Sequence, residues 1–582
     1  MSRNAEVAAL FEEFADRLEA DGVEYKPNVY RRAADNIRAH GRPIEGLAAE
    51  GKETVEEIDG VGDAISSKVV EYFETGEIAE LVELRDEMPV DIQALTGVEG
   101  VGPKTVGTLY ETLGITTLDE LEAAAEAGEI REVKGFGPKT EENILSNVAF
   151  ARRAQERARL GDARPLADDV LELLRGEAAA SQVEVAGSIR RWRDTIGDVD
   201  VLVASDDADA VVEAFTGWDG VSTVIESGPE KASVRANGVR IDLRVVVPSE
   251  YGAALQYFTG SKNHNLKLRN VAIRRDLKMN EYGVFDVSDV DDPDAGQRVG
   301  ERVAGETEES MYAALDLPLV PPELREDTGE VEAASEGDLP ELLESGDVRG
   351  DLHTHTNWSD GRNSPEEMVA AAEARGYDYY AVTDHATGPG MVGGVGLDDD
   401  ELREQMDALR EVAADAELEL LHGVEANIGA EGDIPTSDDV LAELDVVVAS
   451  PHAALDQDPD AATDRLVRAV EHPAVDILGH PTGRLINDRA GLDIDVRRVA
   501  EAAAEHDVAL EINSDPARLD LHGGPAKTAV EAGAAIAVDT DAHRPDTLGY
   551  VRYGVHTARR GWCEPADVVN AWALSDLRSF LH

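Results

Sequence analysis

The part of the chain from Gly350 onward constrains the fold most, because short apolar runs alternate there with helical segments. Each run has the length and composition of a buried strand, and most of them end in a His, Asp or Glu side chain. Strands that alternate with helices form a parallel sheet or a barrel, and barrel enzymes place their functional groups at the strand ends. The pattern therefore predicts a parallel sheet or a barrel with a site at the strand ends.

These strand ends carry imidazole and carboxylate groups that are typical metal ligands. His353 and His355 flank Thr354, so on a strand both histidines point to the same side. The other candidates follow later strands and are Asp360, His385, Glu425, His452, His480, Asp541 and His543. The set takes six of the 14 histidines in the chain. Such mixed ligands suit Zn²⁺, Mn²⁺ or Fe²⁺, and they are numerous enough for two or three ions.

A second candidate site lies within residues 165–250, where a helix is followed by strand-like runs. Asp198 and Asp200 stand two apart on one predicted strand, so both carboxylates project from the same face. Asp242 interrupts another apolar strand, and acids on neighbouring half-buried strands are costly unless they bind cations. A pair of Mg²⁺ ions needs such a cluster. Candidate phosphate-binding residues occur just before these acids in the chain, and they are Gly187, Ser188, Arg190 and Arg191.

Three similar turns divide the mostly helical residues 1–160, where no convincing strand is predicted. Each has a Gly-hydrophobic-Gly sequence that leads into a new helix, and the turns resemble helix-hairpin-helix elements. Glycine lets the backbone approach a phosphate, to which the first N–H groups of the next helix donate. The predicted DNA-binding glycines are Gly60, Gly62, Gly100, Gly102, Gly135 and Gly137.

The overall charge argues against DNA binding, since the chain has 54 Lys and Arg but 120 Asp and Glu, for a net charge of −66. The acids are spread over every predicted helix instead of forming a tail, and Arg far outnumbers Lys. Molar salt shortens the Debye length to about 3 Å and screens such self-repulsion. We therefore expect the protein to come from a halophilic prokaryote, an archaeon, whose cytoplasm contains concentrated salt. An ordinary acidic protein with acidic partners is the alternative.

Four segments carry a resemblance to the family X DNA polymerases, and they occur in family order across residues 1 to 320. They are Gly187-Ser188-Ile189-Arg190-Arg191, Gly197-Asp198-Val199-Asp200, Ile241-Asp242-Leu243-Arg244 and Tyr257-Phe258-Thr259-Gly260-Ser261. The resemblance implies that the three aspartates are catalytic and hold Mg²⁺. It also implies that Ser188 and Arg191 hold the nucleotide triphosphate. Contacts to the sugar and the nascent base pair are implied for Tyr257, Phe258, Gly260, Asn265 and Arg269. Lys262 departs from the acidic residue that DNA polymerase beta has there, which puts that contact in doubt.

The first helical region also resembles the deoxyribose-phosphate lyase subdomain of this family. Lys68 falls at the position of the Schiff-base lysine, and Lys26 and Tyr30 fall in its phosphate pocket. A Schiff-base amine needs a lowered pKa, which Lys26 and Arg31 are expected to supply by repulsion. The alternative, that Lys68 only binds DNA phosphate, stays open.

The histidine-rich region, residues 350–582, resembles the polymerase-and-histidinol-phosphatase (PHP) domain, a distorted seven-stranded barrel with a trinuclear metal site. The resemblance implies a Mn²⁺- or Zn²⁺-dependent 3′–5′ exonuclease, with cleavage at abasic sites in some relatives. The expected partners are gapped or nicked duplex DNA and deoxynucleoside triphosphates.

The expected architecture is multidomain, α+β and α/β, with a helical N-terminal region, a mixed-sheet nucleotidyltransferase palm and a distorted (β/α)7 barrel. The predicted domains are 1–80 (lyase-like), 81–160 (helix-hairpin-helix), 161–250 (palm), 251–320 (nascent base-pair subdomain), 321–349 (linker) and 350–582 (PHP). A single cysteine, no membrane-spanning run and no signal peptide indicate a cytoplasmic protein, which we expect to be monomeric. The rival functions are a histidinol-phosphatase-type phosphoesterase with a passive N-terminal half and a non-catalytic DNA-end scaffold.

Overall fold

The computed structural model describes residues 3–23, 25–39, 42, 44–56, 58, 60–98, 100–293, 295–390 and 395–581. Contacts divide the chain into two units, residues 1–157 with 487–489 and residues 158–486 with 490–582. Asp59 and Glu99, which belong to two of the predicted glycine turns, lie outside the described residues. A search of the described helices finds none with the length and apolar character that crossing a membrane requires.

Helices make up the described part of residues 1–157, and no strand occurs in that part, as the sequence predicts. Their bounds are α1 (Arg3–Ala20), α2 (Lys26–Ala39), α3 (Ile44–Glu50), α4 (Lys52–Val55), α5 (Asp63–Thr75), α6 (Ala79–Glu87), α7 (Ile92–Thr96), α8 (Pro103–Leu113), α9 (Leu118–Ala127) and α10 (Pro138–Glu156). In the core between α1 and α2, the Tyr30 ring stacks on Phe11 and packs at a tilt against Phe14. This burial of aromatic surface holds the short helices together.

The palm is a five-stranded mixed sheet whose order is β2-β4-β7-β6-β5. Its elements are β1 (Ala158–Arg159), α11 (Leu160–Arg175), β2 (Gln182–Val185), α12 (Gly187–Arg190), β3 (Thr195–Ile196), β4 (Asp198–Ala204), α13 (Ala208–Thr216), β5 (Thr223–Ser227), β6 (Lys231–Ala236) and β7 (Val239–Val246). Alternation along β7 buries Ile241, Leu243 and Val245 in the core formed with α11 and α13. Asp242 therefore lies on the opposite face.

Residues 251–336 form helices around a small antiparallel sheet of order β10-β9-β8. The bounds are α14 (Tyr251–Thr259), α15 (Lys262–Ile273), β8 (Leu277–Asn280), β9 (Gly283–Asp286), β10 (Glu301–Ala304), α16 (Glu308–Ala313) and α17 (Glu330–Glu336). Residues 321–349, predicted as a linker, include α17, and Leu324, Val331 and Leu343 are buried there. The junction between the domains is thus packed.

Seven parallel strands, hydrogen-bonded in sequence order, form the predicted barrel. The strands are β11 (Gly350–Asp351), β12 (Tyr379–Val382), β13 (Glu419–Asn427), β14 (Val446–Ser450), β15 (Ile477–Leu478), β16 (Ala509–Asn513) and β17 (Ile536–Asp539). The helices are α18 (Pro365–Ala374), α19 (Asp399–Ala413), α20 (Asp438–Leu441), α21 (Pro459–Val470), α22 (Val496–Glu505), α23 (Gly523–Glu531), α24 (Val551–Arg560) and α25 (Leu574–Phe580). A parallel bridge between Thr354 and Ala542 joins the segments after β11 and β17, so the barrel is nearly closed. The predicted fold class is confirmed, whereas the finer domain boundaries stay predictions.

Candidate active sites

The three palm aspartates meet because β4 and β7 are parallel neighbours. Asp200 and Asp242 are direct register partners, and Asp198 lies on the same face of β4. Carboxylate oxygens of all three lie within 4.8 Å of one another. Burial, followed by the charges of Asp198 and Asp242, raises the pKa of Asp200 to about 7. A bound cation would offset the repulsion among these carboxylates and favour their ionised form. The oxygen donors therefore fit a hard divalent metal.

Glycine is required where the predicted phosphate-binding loop meets this cluster. Gly187 begins α12 with a φ of +61°, and a Cβ at that position would overlap the carboxylate of Asp200. Ser188 follows it within α12. A cavity of about 230 Å³ opens beside the aspartates. Its lining includes Asp200, Asp242, Lys231, Arg244 and Phe258.

The two adjacent arginines of this loop have different partners. Arg190 donates from Nη1 and Nη2 to the Glu308 carboxylate at 2.9 and 2.6 Å, and from Nη1 to Thr259 Oγ1 at 2.8 Å. Arg191 donates from Nε to Glu326 at 2.9 Å and from Nη1 to the carbonyl oxygen of Thr259 at 2.6 Å. Both predicted phosphate-binding arginines are thus held in internal ion pairs.

The predicted sugar- and base-contacting residues lie together at the end of α14 and on α15. The Tyr257 and Phe258 rings are nearly perpendicular, with centroids 5.1 Å apart. A Cβ at Gly260 would lie 2.7 Å from Asn265 Oδ1. Asn265 Nδ2 donates to the carbonyl oxygen of Tyr257 at 2.7 Å, and the Arg269 guanidinium lies 5.6 Å from the Tyr257 ring centre. These contacts form one surface.

The three glycine turns share one geometry. The first glycine of each turn has a left-handed φ, at +74°, +85° and +101° for Gly60, Gly100 and Gly135. The second glycine is the N-cap of α5, α8 and α10, and it is Gly62, Gly102 or Gly137 respectively. The predicted entry of each turn into a helix is confirmed, and its DNA contact stays a prediction.

Lys68 has an environment that differs from the predicted one. Its Nζ lies 2.7 Å from Glu80 Oε2 and 5.5 Å from the centre of the Phe14 ring. Burial favours a lower pKa, but the pairing with Glu80 and the nearby Tyr30 outweigh it, and the pKa of Lys68 is raised. Arg31 pairs with carboxylates of α1 at 2.7 and 2.6 Å. The expectation of a lowered lysine pKa is therefore wrong, because an acid lies beside the amine.

The predicted barrel ligands converge on Glu425, which lies in β13. His385 Nδ1 lies 2.6 Å from Glu425 Oε2. His480 Nε2, His452 Nε2 and His353 Nε2 lie 3.0, 3.2 and 3.4 Å from Glu425 Oε1. The histidines follow four different strands, so the barrel itself brings them to one carboxylate.

The remaining predicted ligands extend the cluster from His355. His355 Nε2 lies 3.1 Å from Asp541 Oδ1 and 3.6 Å from Glu425 Oε2. His543 Nε2 lies 3.1 Å from Asp360 Oδ1, and the His355 and His543 rings stack at 4.3 Å. All nine predicted residues thus belong to one connected cluster.

Several buried atoms of this cluster have close neighbours but make no hydrogen bond of suitable geometry, which fits metal ligands. Those atoms are His353 Nε2, both ring nitrogens of His355, His385 Nδ1, His480 Nδ1 and Glu425 Oε2. Burial, with His543 and His385 nearby, lowers the pKa of His355 to about 3. A neutral imidazole with a buried lone pair is a ready ligand for a transition ion. The cluster contains three groups of potential ligands, and within each group the donor atoms lie within 4.8 Å of one another.

Sequence reasoning missed the residues that orient these ligands. Glu511 in β16 is fully buried, accepts from the backbone N–H of His480 and pairs with His353 Nδ1 at 2.7 Å. Asn427 Oδ1 lies 2.7 Å from His452 Nδ1. Such outer partners fix the ring orientation of metal-binding histidines. An acid inside an apolar strand was the available signal for Glu511, as it was for Asp242.

The fold and the two sites define a class of protein, a nucleotidyltransferase palm joined to a metal-dependent barrel hydrolase. Four family models match: a helix-hairpin-helix domain (residues 2–78), a SAM-like helix-hairpin-helix tandem (92–147), the DNA polymerase beta thumb (254–326) and the PHP domain (351–515). The chain is 35% identical over 581 residues to the DNA polymerase/3′-5′ exonuclease PolX of Bacillus subtilis, covering 99% of both proteins. It therefore belongs to the family X DNA polymerases that carry a C-terminal PHP domain.

Two further relatives each match one part of the chain. DNA polymerase lambda of Rattus norvegicus is 23% identical over 346 residues, which are 56% of each protein. A probable phosphatase of Caldanaerobacter subterraneus is 34% identical over 206 residues, covering 33% of this chain and 75% of that protein.

Proposed function

We propose that the chain fills short gaps in DNA by DNA-directed synthesis and trims 3′ ends with its PHP domain, as part of DNA repair. The observation that carries the proposal is the convergence of both predicted acid and histidine clusters in a chain that matches the Bacillus subtilis enzyme along its whole length. A cytoplasmic monomer that binds gapped or nicked duplex DNA and deoxynucleoside triphosphates is part of the same proposal.

In the palm, Asp198, Asp200 and Asp242 would hold paired Mg²⁺ ions. When bound, these ions orient the primer 3′-hydroxyl and neutralise charge on the triphosphate. Arg191, Ser188 and Gly187 lie beside this cluster on one short loop, where their donors can bind the phosphates. The surface formed by Tyr257, Gly260, Asn265 and Arg269 would support the sugar and the nascent base pair.

In the barrel, the Glu425-centred cluster would hold two or three Mn²⁺ or Zn²⁺ ions. Such ions would supply an activated water and polarisation of a phosphodiester. Glu511 and Asn427 keep His353 and His452 oriented toward them. Cleavage at abasic sites is a second proposed outcome of the same chemistry. The lyase role of Lys68 stays a prediction, and Glu80 works against it because a Schiff base forms from the neutral amine.

We also propose that the acidity is an adaptation to concentrated salt. The net charge of −66 accompanies a DNA-processing fold, and molar salt screens carboxylate repulsion. The glycine turns would then contribute backbone contacts to DNA that depend less on counterion release than Lys and Arg contacts do.

The deciding experiment is extension of a labelled primer across a one-nucleotide gap, run beside Mn²⁺-supported degradation of a 3′ end. Asp200→Asn should abolish extension, on the order of a thousandfold or more, and spare degradation. His355→Ala should abolish degradation and spare extension. Asp206→Asn and His506→Ala are matched controls, since both residues are exposed and lie outside the clusters.

Wild-type protein that hydrolyses only small phosphate monoesters would favour the phosphatase alternative. Wild-type protein that binds DNA ends without either reaction would favour the scaffold. An Asp200→Asn variant that extends primers at the wild-type rate would show that the palm assignment is wrong.

A further inference from the structure

The phosphate-binding loop of the palm packs directly against α24, a helix of the barrel. Trp192, which follows the two arginines, stacks on His556 with ring centroids 3.6 Å apart and planes 7° apart. Trp192 has a φ of +53°, a conformation that costs free energy unless its surroundings hold it. Tyr553 of α24 belongs to the same buried cluster as the palm core. The barrel is thus part of the support of this loop.

Arg560, the last residue of α24, reaches the predicted triphosphate-binding arginine itself. Its Nη1 donates to the carbonyl oxygen of Arg191 at 2.9 Å. The same nitrogen lies 3.5 Å from Glu326 Oε1, the oxygen that accepts from Arg191 Nε at 2.9 Å. Arg560 therefore contacts both the backbone of Arg191 and the carboxylate that Arg191 binds.

Most of the charged groups at this junction are buried, and the positive charges outnumber the negative one. The side chain of Arg560 is 10% exposed and that of Glu326 is 17% exposed. Arg193 Nη1 also approaches Glu326, at 3.6 Å. Three guanidinium groups thus share one carboxylate, and removal of one of them leaves that carboxylate more strongly paired with the others.

We propose that Arg560 is a positioning residue for nucleotide binding: the exonuclease domain orients Arg191 of the polymerase domain and keeps Glu326 from neutralising it. This inference rests on the proposed polymerase function. A triphosphate must compete with Glu326 for the Arg191 guanidinium. Arg560 weakens the pairing of Glu326 with Arg191, because its guanidinium interacts with the same oxygen, Glu326 Oε1. Loss of Arg560 should therefore weaken nucleotide binding more than it slows the chemical step.

The test measures kcat and KM for one nucleotide in single-gap filling, with the full-length chain. Arg560→Met should raise KM about tenfold or more, as expected for loss of the hydrogen bond that its charged guanidinium donates to the Arg191 carbonyl, while kcat changes much less. Arg560→Lys keeps the charge and one donor, so it should recover part of the affinity. Arg559→Met is the matched control, because Arg559 lies on the same helix and binds Glu323 at 2.7 Å and the Leu343 carbonyl oxygen at 3.0 Å instead.

A double variant tests the route through Glu326. Glu326→Gln removes the competitor, so adding Arg560→Met to it should raise KM much less than Arg560→Met does alone. Thermal unfolding and Mn²⁺-supported degradation of a 3′ end, measured on every variant, report damage to the interface as a whole. Equal KM in wild type, Arg560→Met and Arg560→Lys would overturn the inference, as would an equal rise in Arg559→Met.

Equilibrium binding of the nucleotide to the gapped-DNA complex separates this inference from the proposed function. Wild-type protein that binds the nucleotide without extending the primer contradicts the polymerase function, and the dissociation constants of the Arg560 variants then still decide the inference. Wild-type protein that neither binds nor extends would overturn both.

Discussion

Glu308 pairs with one fully buried arginine and one half-buried arginine, and its replacement should be among the costliest single changes in the second unit. Its carboxylate accepts from Arg190 at 2.9 and 2.6 Å and from Arg325 at 2.6 Å. Arg325 is fully buried and Glu308 is 6% exposed. Glu308→Gln keeps the shape of the side chain and removes the charge, so both guanidinium groups lose their counter-ion.

The loss should destabilise the fold by about 3 kcal/mol. Removing one partner of a buried ion pair costs about 3–5 kcal/mol. Burial raises the pKa of Glu308, but Arg325 and Arg190 more than reverse this, and the pKa falls from 4.5 to about 2. That fall contributes about 3 kcal/mol to the free energy of unfolding at neutral pH, at about 1.4 kcal/mol per tenfold change in affinity for the proton.

The sign of the pH dependence follows from the lowered pKa. The contribution is complete above the pKa of the unfolded state, near 4.5, and is lost as the pH falls toward 2. Urea unfolding of wild type and Glu308→Gln should therefore differ by about 3 kcal/mol at neutral pH and by about half of that at pH 3. All five tryptophans lie within residues 158–582, so their fluorescence reports this unit.

Glu309→Gln is the control, because Glu309 is the next residue and is exposed. We expect its effect to stay within about 0.5 kcal/mol. A Glu308→Gln loss below about 1 kcal/mol, or a difference from wild type that is constant down to pH 3, would refute the reasoning.

Three further predictions concern the metals, the lysine and the salt. Chelation should lower the unfolding temperature of wild type and Mn²⁺ should restore it, since a metal present at about 100 times its Kd adds about 2.7 kcal/mol; His355→Ala should show a smaller drop, and equal drops would contradict the barrel site. Borohydride trapping on an incised abasic site should be weak in wild type, rise in Glu80→Gln and vanish in Lys68→Ala; trapping that persists in Lys68→Ala would assign the amine elsewhere. Circular dichroism and primer extension should both be retained at about 2 M KCl and fade below about 0.5 M, and a protein most active at low salt would show another cause for the acidity.

The site residues that the sequence predicted are those whose position follows from strand periodicity. Asp198 and Asp200 share a face because side chains alternate along a strand, and Asp242 joins them once β4 and β7 pair in parallel. The histidines meet because parallel barrel strands end at one edge. In each case the local pattern and the topology together are sufficient to place the side chains.

The residues that the sequence left undefined depend on partners distant along the chain. Glu511 lies 158 positions from His353, which it orients. Lys68 has its pKa raised by Glu80, on the next helix, where no motif marks the acid. Such pairings are set by packing between elements, and neither periodicity nor a motif specifies them.

Arg190 and Arg191, in the predicted phosphate-binding loop, show how partners distant along the chain can separate two residues that are alike in sequence. As adjacent residues of one motif they are equivalent by chemistry, and the sequence assigns phosphate binding to both. The structure gives Arg190 a carboxylate 118 positions away that takes both of its terminal nitrogens. Arg191 shares its carboxylate with Arg560, 369 positions away in the barrel. Arg190 is thus tied to α14 and α16, whereas Arg191 lies where the palm meets the barrel. At that position, the proposed role of Arg560 would let a change in the barrel alter nucleotide binding.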